Sequence, residues 1–337
     1  MNTIHWSRDI PIRYRADVAV IGGGVAGCCS AAAAARSGAS VVLVERFAAL
    51  GGMMTVGGVN NFAGECAGQG EVFDEMLAGL DAFGAKKPYM PYRHFHGNGG
   101  EFEHEILMVV LQEMLLKRGV KLLLHTRFVD VIKDQDRISA CVLRGQSGPE
   151  ALTARHFIDT TGEAEVAHLA GCETMKGRPA DGLQLPMSMM WFVRHLPADK
   201  ATAQVPEGWF ENIETKDDLP MVSPWPNGPW SNAIKVKAVG FDSTDTESMT
   251  AAEIHGRRRM MSVLDYYQRV EGRPWRFDHC SPIIGIREGR RIVGDYLLTE
   301  EDCRAGRTFD DGVALGTFFL DAHEPTTDKR VAQIEDK

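Results

Sequence analysis

The stretch Gly22-Gly23-Gly24-Val25-Ala26-Gly27 constrains this chain more than any other feature. Its pattern, GxGxxG, is short and weak by itself. Its setting strengthens it. It follows Asp17-Val18-Ala19-Val20-Ile21, a β-branched apolar run that predicts a buried strand. It opens onto the alanine-rich stretch Val25 to Ser37, which predicts a helix, with Gly38 where a helix C′ residue belongs. Val41-Val42-Leu43-Val44 predicts a second buried strand, ending at Glu45. Two consecutive buried strands joined by such a helix make a parallel βαβ unit with a right-handed crossover.

Each position in the turn has a physical task. Gly22 permits the tight turn. Gly24 lacks a Cβ, so a pyrophosphate can approach the backbone, and Gly27 lets the helix pack on the sheet. Val25 and Ala26 open the helix, whose unpaired N–H groups and partial positive charge suit phosphate. Glu45, 23 residues after Gly22, can accept hydrogen bonds from ribose hydroxyls and would repel a 2′-phosphate, which disfavours NADP. The unit predicts an ADP-containing cofactor; a purely structural glycine turn is the alternative.

The surrounding sequence separates FAD from NAD. A plain NAD domain would continue with alternating strands and helices. Here Arg46 is followed by Gly51-Gly52-Met53-Met54-Thr55-Val56-Gly57-Gly58, four glycines in eight residues, a backbone laid closely against something. Residues 71–84 carry helical spacing. Glu101 to Arg118 predicts an amphipathic helix with Ile106, Leu107, Val110, Leu111, Met114 and Leu115 on one side. Lys121–Thr126 predicts a strand. Phe128–Lys133, Ile138–Arg144 and Leu152–Phe157 predict a small antiparallel meander. Another strand ends at Ile158-Asp159-Thr160-Thr161-Gly162, and Glu163 to Ala170 predicts a short helix.

From about 175 to 280 the βαβ rhythm is lost, prolines are frequent and four of the six tryptophans occur (Trp191, Trp209, Trp225 and Trp230) with Trp275 at the far end, and there is one long helix at about Glu247 to Val270. Arg291 to Leu298 predicts a strand, followed by an acidic helix start at Thr299-Glu300-Glu301-Asp302. The expected division is an FAD-binding domain over 1–175, an inserted substrate or cap domain over 176–280, and a segment 281–337 that returns to the first. The fold class expected is α/β: a parallel Rossmann-like FAD-binding sheet with an antiparallel β-meander and an inserted α+β substrate/cap domain.

This order of motifs resembles the flavoproteins with a glutathione-reductase-like FAD domain. Gly51-Gly52 looks like their second glycine motif, and Ile158-Asp159-Thr160-Thr161-Gly162-Glu163 like their later strand-end motif. The closer resemblance is to the bacterial FAD-dependent oxidoreductase family distantly related to succinate dehydrogenase/fumarate reductase flavoproteins. It extends to Ile284-Gly285-Ile286-Arg287-Glu288, Arg290-Arg291-Ile292-Val293-Gly294 and Asp321-Ala322-His323. The resemblance implies that Gly22, Gly24 and Gly27 hold the pyrophosphate and Glu45 the adenosine ribose. Arg46, Gly51, Gly52 and Met53 would line the ribityl and flavin side. Phe128 would offer a backbone contact to adenine, and Thr161 and Gly162 would close over the ADP.

A flavin performs the electron transfer, so the protein contributes orientation, electrostatics and sometimes a proton. By position within the family-like segment, Arg287 and His323 are the catalytic candidates. Arg287 could grip a substrate carboxylate bidentately, or pair with Glu288, Asp295 or another structural acid. His323 could equally be a capped loop residue. His94 and His96, in Tyr92-Arg93-His94-Phe95-His96-Gly97, have the HxH spacing of metal ligands. No carboxylate or thiolate at a telling spacing completes such a site, so no metal is expected. His104 and His125 carry no functional expectation.

The function expected is flavin-mediated hydride transfer on a small organic substrate. Family members continue beyond a segment like Asp321–His323 with a strand and a Gly-rich turn beside the flavin ring, and this sequence stops at Lys337. The alternative is therefore an incomplete or non-catalytic flavin- or ADP-binding subunit, completed by a partner chain or by a homo-oligomer. An NAD-only dehydrogenase is disfavoured by Gly51–Gly58 and the meander.

Bulk properties narrow the partners. Net charge is -9 and the sequence pI about 5.7, which disfavours nucleic acid. Arg257-Arg258-Arg259 fans out around a helix and predicts a solvated, ion-paired face. No run of 18 apolar residues and no signal-peptide pattern occur, so neither a membrane span nor export is expected. The seven cysteines lack CxxC spacing, which argues for buried thiols and a reducing, cytoplasmic location.

Overall fold

The computed structural model describes residues 2–62, 64–65, 68–87, 95–96, 100–197, 200, 203–222, 224–314, 316, 320–321 and 323–329. The chain forms two compact units: Met1–Gly52 with Met108–Glu173, and Met53–Leu107 with Thr174–Lys337.

The first unit is built on a six-stranded sheet in the order Lys121–Leu123, Val41–Val44, Ile12–Ile21, Gly148–Asp159, Arg137–Gly145 and Arg127–Asp134. The first four are parallel and the last two antiparallel. Val41–Val44 is buried at every position, as a central parallel strand covered on both faces must be. The helix Val25–Arg36 turns Gly27, Cys28, Ala31 and Ala32 inward; these small side chains let it lie close. It stops at Ser37, and Gly38 follows with φ +86°. Ala19, Ile21, Val42, Val44, Cys141, Leu143 and Leu152 fill the core beneath the meander.

Two boundaries differ from expectation. The first strand begins at Ile12, because its outer half pairs with Ala151–Ala154. The third meander strand and the strand ending at Asp159 are one 12-residue strand, Gly148–Asp159. It pairs antiparallel with Arg137–Gly145 on one edge and parallel with Ile12–Ile21 on the other, so the meander continues the parallel sheet.

The second unit is built on a four-stranded antiparallel sheet in the order Trp225–Gly228, Ser231–Ala238, Met187–His195 and Trp275–Cys280. Strand alternation divides Ser231–Ala238 cleanly. Ile234, Val236 and Ala238 face a core shared with Met187, Met189, Trp191 and Val193, whereas Lys235 and Lys237 lie on the opposite face. The 24-residue helix Thr246–Arg269 covers the apolar face with Ala252, Met260, Val263, Leu264 and Tyr267. The Asp245 carboxylate caps it by accepting the Ser248 N–H at 2.7 Å. A Cβ at Gly256 would lie 3.2 Å from Met189, so the helix approaches the sheet where its side chain is absent.

Around this sheet, Glu71–Ala82 is helical as expected, and the helix predicted from Glu101 begins at His104 because Gly100–Phe102 is a strand. Of the strand expected over Arg291–Leu298 only Arg291–Ile292 forms; Leu297 and Leu298 are exposed and unpaired with any sheet. Thr299 and Asp302 form a capping box at the start of Glu300–Ala305. Residues 53–107 and 281–337 both group with the second unit.

Arg257 and Arg259 are ion-paired, with Glu253 and with Glu211 and Asp328. Cys28, Cys29, Cys141, Cys172, Cys280 and Cys303 are free thiols. Among the described residues no helix is long and apolar enough to cross a membrane.

Candidate functional site

In the first unit the glycine turn has three distinct environments. Gly22 has φ +106°, and a Cβ there would sit 2.3 Å from the Thr160 carbonyl oxygen. A Cβ at Gly27 would sit 1.9 Å from the Gly22 carbonyl oxygen and 2.8 Å from Thr160 Oγ1. Both positions are filled by protein. A Cβ at Gly24 would meet nothing within 4 Å, at the N-cap of the helix that Val25 and Ala26 begin. That is the one place in the turn where an outside group can reach bare backbone and unpaired N–H donors.

Glu45 is 4% exposed. Its Oε2 accepts the Gly23 N–H at 2.7 Å and its Oε1 the Phe47 N–H at 2.8 Å. The carboxylate thus ties the second strand's end to the glycine turn, with lone pairs left for ribose hydroxyls. Gly23, to which sequence reasoning gave no role, is confined by this contact: a Cβ would lie 2.9 Å from Glu45.

The second glycine pair closes on the first. The Gly51 N–H donates to the Gly23 carbonyl at 2.7 Å, and a Cβ at Gly52 would lie 3.0 Å from Gly24 Cα. Gly51 and Gly52 both have positive φ, +101° and +53°. Arg46 stacks over the Phe47 ring at 4.9 Å and reaches Glu163 at 4.0 Å. Cys28, inside the helix, has its thiol pushed up by burial, which keeps it protonated.

At the strand-end motif the adjacent threonines separate in role. Thr160 Oγ1 donates toward the Ile21 and Gly22 carbonyls at 2.9 and 2.8 Å. It binds the dinucleotide turn, which sequence reasoning missed; the small hydroxyl side chain beside the Gly-rich turn was the available signal. Thr161 Oγ1 donates to Asp159 at 2.7 Å and accepts the Glu165 N–H at 3.0 Å, at the start of the helix Glu165–Leu169. Gly162 follows with φ +82°. The Phe128 ring lies in the core, so only its backbone is available to a ligand.

In the second unit, Met53 accepts the Val59 N–H at 3.0 Å, and a Cβ at Gly57 would lie 2.8 Å from Met53 Cα. A Cβ at Gly58 would crowd Met190 and Ser281, on the sheet face that also carries the lysines. Arg287 Nη2 donates to Asp321 Oδ2 at 2.9 Å. Glu288 instead accepts the Leu185 N–H at 2.8 Å and pairs with Arg291. Asp321 also meets His323 Nε2 at 3.2 Å. The His323 side chain is 2% exposed, and its Nδ1 has no hydrogen-bond partner among the described residues.

The hydrogen bond to His323 and the Arg287 charge hold the Asp321 carboxyl well below the usual range. For His323 the Asp321 hydrogen bond pulls the pKa up, but burial with Arg287 and Lys237 nearby outweighs it, leaving the imidazole below its ordinary value. A neutral His323 donates from Nε2 to the acceptor-only carboxylate and presents a lone pair at Nδ1.

A second group gathers further along the same sheet face. His104 stacks on Phe192 (5.4 Å) and Phe192 on His279 (4.3 Å). Potential ligand atoms of His104, Glu105 and His279 lie within 4.8 Å of one another, with Glu105 exposed. That spread is wider than the roughly 3 Å between neighbouring ligands of an ion held at about 2 Å. His94 and the side chain of His96 lie outside the described residues.

A family model described as FAD dependent oxidoreductase matches residues 17–337, and this chain belongs to that family. Its cofactor class is therefore FAD. Similar solved structures include CabE, an aromatic hydroxylase from angucycline biosynthesis, at 20% identity and TM-score 0.50, with 82% of this chain and 53% of that one covered. The geranylgeranyl bacteriochlorophyll reductase-like protein Ta0516 of Thermoplasma acidophilum matches at 15% identity and TM-score 0.51, with 83% and 67% covered. The flavin-dependent brominase Bmp2 matches at 13% and TM-score 0.50, with 83% and 70% covered. At these identities the likeness speaks to the fold alone. The chain spans about half the length of CabE.

Proposed function

We propose that this protein transfers a hydride between FAD and a small organic substrate. One observation carries the cofactor assignment: Gly24 is the only member of the GxGxxG triad whose Cβ position is not filled by protein. The residues present fit the group, because the helix N-terminus at Val25 and Ala26 offers donors to a pyrophosphate and Glu45 offers acceptors to a ribose. Arg46, Gly51, Gly52 and Met53 would serve the ribityl and flavin side, and Phe128, Thr161 and Gly162 the ADP side through their backbone. The Thr161 hydroxyl is already engaged by Asp159 and the helix start. When bound, the flavin supplies the two-electron chemistry.

Proton handling falls to the chain itself. Neutral His323 takes a proton at Nδ1 while Asp321 accepts from Nε2–H and stabilises the imidazolium that forms. Arg287 orients Asp321, so its role is positioning rather than direct capture of substrate.

The test is a visible spectrum of the purified chain. A protein without flavin that takes up none on addition of FAD would sink the proposal. Turnover of an electron acceptor by a chain that runs as a monomer would exclude the incomplete-subunit alternative.

A further inference from the structure

Lys235 and Lys237 are an unusual pair. Cross-strand partners share a face, so Lys237 stands beside Ser188, and Ser188 in turn pairs with Gly285. Arg287, two residues beyond Gly285, returns to that same face. Three cations are thereby brought to one side of the sheet. Lys237 is 3% exposed, and Lys235 is half-buried. Neither ammonium has a hydrogen bond or an ion pair among the described residues.

The acids nearby are already engaged. Asp321 is shared by Arg287 and His323. Glu324 pairs with Arg178 at 3.5 Å, and Asp328 with Arg259 at 3.3 Å. Burial pushes both lysine ammonium groups below the ordinary lysine value, and the Arg287 charge adds to it. A buried cation without a direct hydrogen bond or ion pair is costly, and here Asp321, Glu324 and Asp328 act on the lysines only at a distance while engaged elsewhere, so an added anion would relieve that cost. His323, with its buried Nδ1 lone pair, is electrostatically coupled to Lys237 and Arg287.

We infer that Lys235 and Lys237 bind the carboxylate of an anionic organic substrate, alongside the unpartnered Nδ1 of His323. Side chains two apart on a strand leave Cα atoms that are roughly 7 Å apart, close enough for two flexible ammonium groups to converge on one carboxylate. The Arg287 fork is committed on one side to Asp321, which leaves the lysines as the donors without a partner among the described residues. The substrate class is then a small organic acid with an exchangeable proton within reach of His323. This assignment rests on the hydride-transfer proposal for its chemistry, but the binding stands on the lysines alone.

The test measures thermal unfolding of the full chain with glycolate or succinate as probes, against glycolamide and inorganic phosphate at matched ionic strength. The flavin spectrum of each sample is recorded as well. The carboxylates should raise the unfolding midpoint and glycolamide should not. In Lys237→Met the apparent carboxylate affinity should fall about tenfold or more with the flavin spectrum unchanged. Lys235→Met, at the less buried position, provides the same readout should Lys237→Met fold poorly. No rise with either carboxylate in a flavin-loaded protein overturns the carboxylate assignment and leaves the FAD proposal standing. A carboxylate response in a protein that never takes up FAD does the reverse. A rise with phosphate alone, or a carboxylate rise preserved in both methionine variants, also overturns the assignment.

Discussion

Gly27→Ala and Gly24→Ala add the same methyl group three residues apart, and the structure assigns them opposite consequences. At Gly27 the new Cβ would lie 1.9 Å from the Gly22 carbonyl oxygen. Real Cβ contacts stay beyond 3.0 Å, so turn and helix must separate by about 1 Å. Overpacking of this kind costs about 1–3 kcal/mol. The displaced carbonyl also accepts from Thr160 Oγ1 at 2.8 Å, and losing that bond adds about 1 kcal/mol. Gly27→Ala should therefore destabilise by about 2–4 kcal/mol, lowering the unfolding midpoint by roughly 3–6 °C. At Gly24 the backbone (φ −63°, ψ 179°) suits any residue, and the methyl meets no atom within 4 Å. Reduced unfolded-state entropy favours alanine by about 0.4–1 kcal/mol, while the weaker N-cap preference opposes it by a similar amount. Stability should stay within about 1 kcal/mol of wild type. FAD affinity should nevertheless fall about tenfold or more, because the methyl enters the space a pyrophosphate needs. The assay is thermal unfolding of the flavin-free protein together with a fluorescence titration of FAD. Wild-type FAD affinity in Gly24→Ala, or wild-type stability in Gly27→Ala, would refute the reasoning.

Other residues give independent checks. Glu45→Ala strands the buried N–H of Gly23 and the partly buried N–H of Phe47, so chemical denaturation should show a loss of about 2 kcal/mol; an unchanged midpoint would contradict the tie described above. Thr161→Ala removes the hydroxyl that joins Asp159 to the Glu165 N–H and should cost about 0.5–2 kcal/mol, read by the same denaturation curve. His323 has a depressed folded pKa, so the unfolded chain binds more protons between that value and 6.5, and its contribution to stability rises with pH across that window. An NMR titration should place the imidazole below 6.5, and Asp321→Asn, which removes the upward pull of the carboxylate, should lower it further. A wild-type titration at or above 6.5 would remove the basis for a neutral general base.

The local features of this chain were legible because each is enforced by neighbours in sequence. The turn from Gly22 to Gly27, the helix to Arg36 with Gly38 beyond it, and the capping box at Thr299 all act within a few residues. The helix Thr246–Arg269 was equally plain, since its apolar spacing and acidic start are written into its own sequence. The strand over Arg291–Leu298 failed for the complementary reason: apolar residues form a strand only where a sheet edge receives them, and Thr174–Met175 receives just two. Likewise, nothing in Leu152–Phe157 reveals that one strand serves both the meander and the parallel sheet. That is decided by pairing with Ile12–Ile21, more than a hundred residues away.

The glycine turn with Glu45 at the next strand end was determined by the sequence alone, because steric exclusion at a missing Cβ and the reach of a short βαβ unit are local physics. The Asp321 carboxylate that holds both Arg287 and His323, the unpartnered His323 Nδ1 and the buried Lys235–Lys237 pair were decided only by the tertiary structure. Strand alternation places both lysines on one face, but whether a carboxylate meets them depends on a segment more than eighty residues further along the chain, and burial, which makes an unpaired charge matter, exists only once the chain has closed around it.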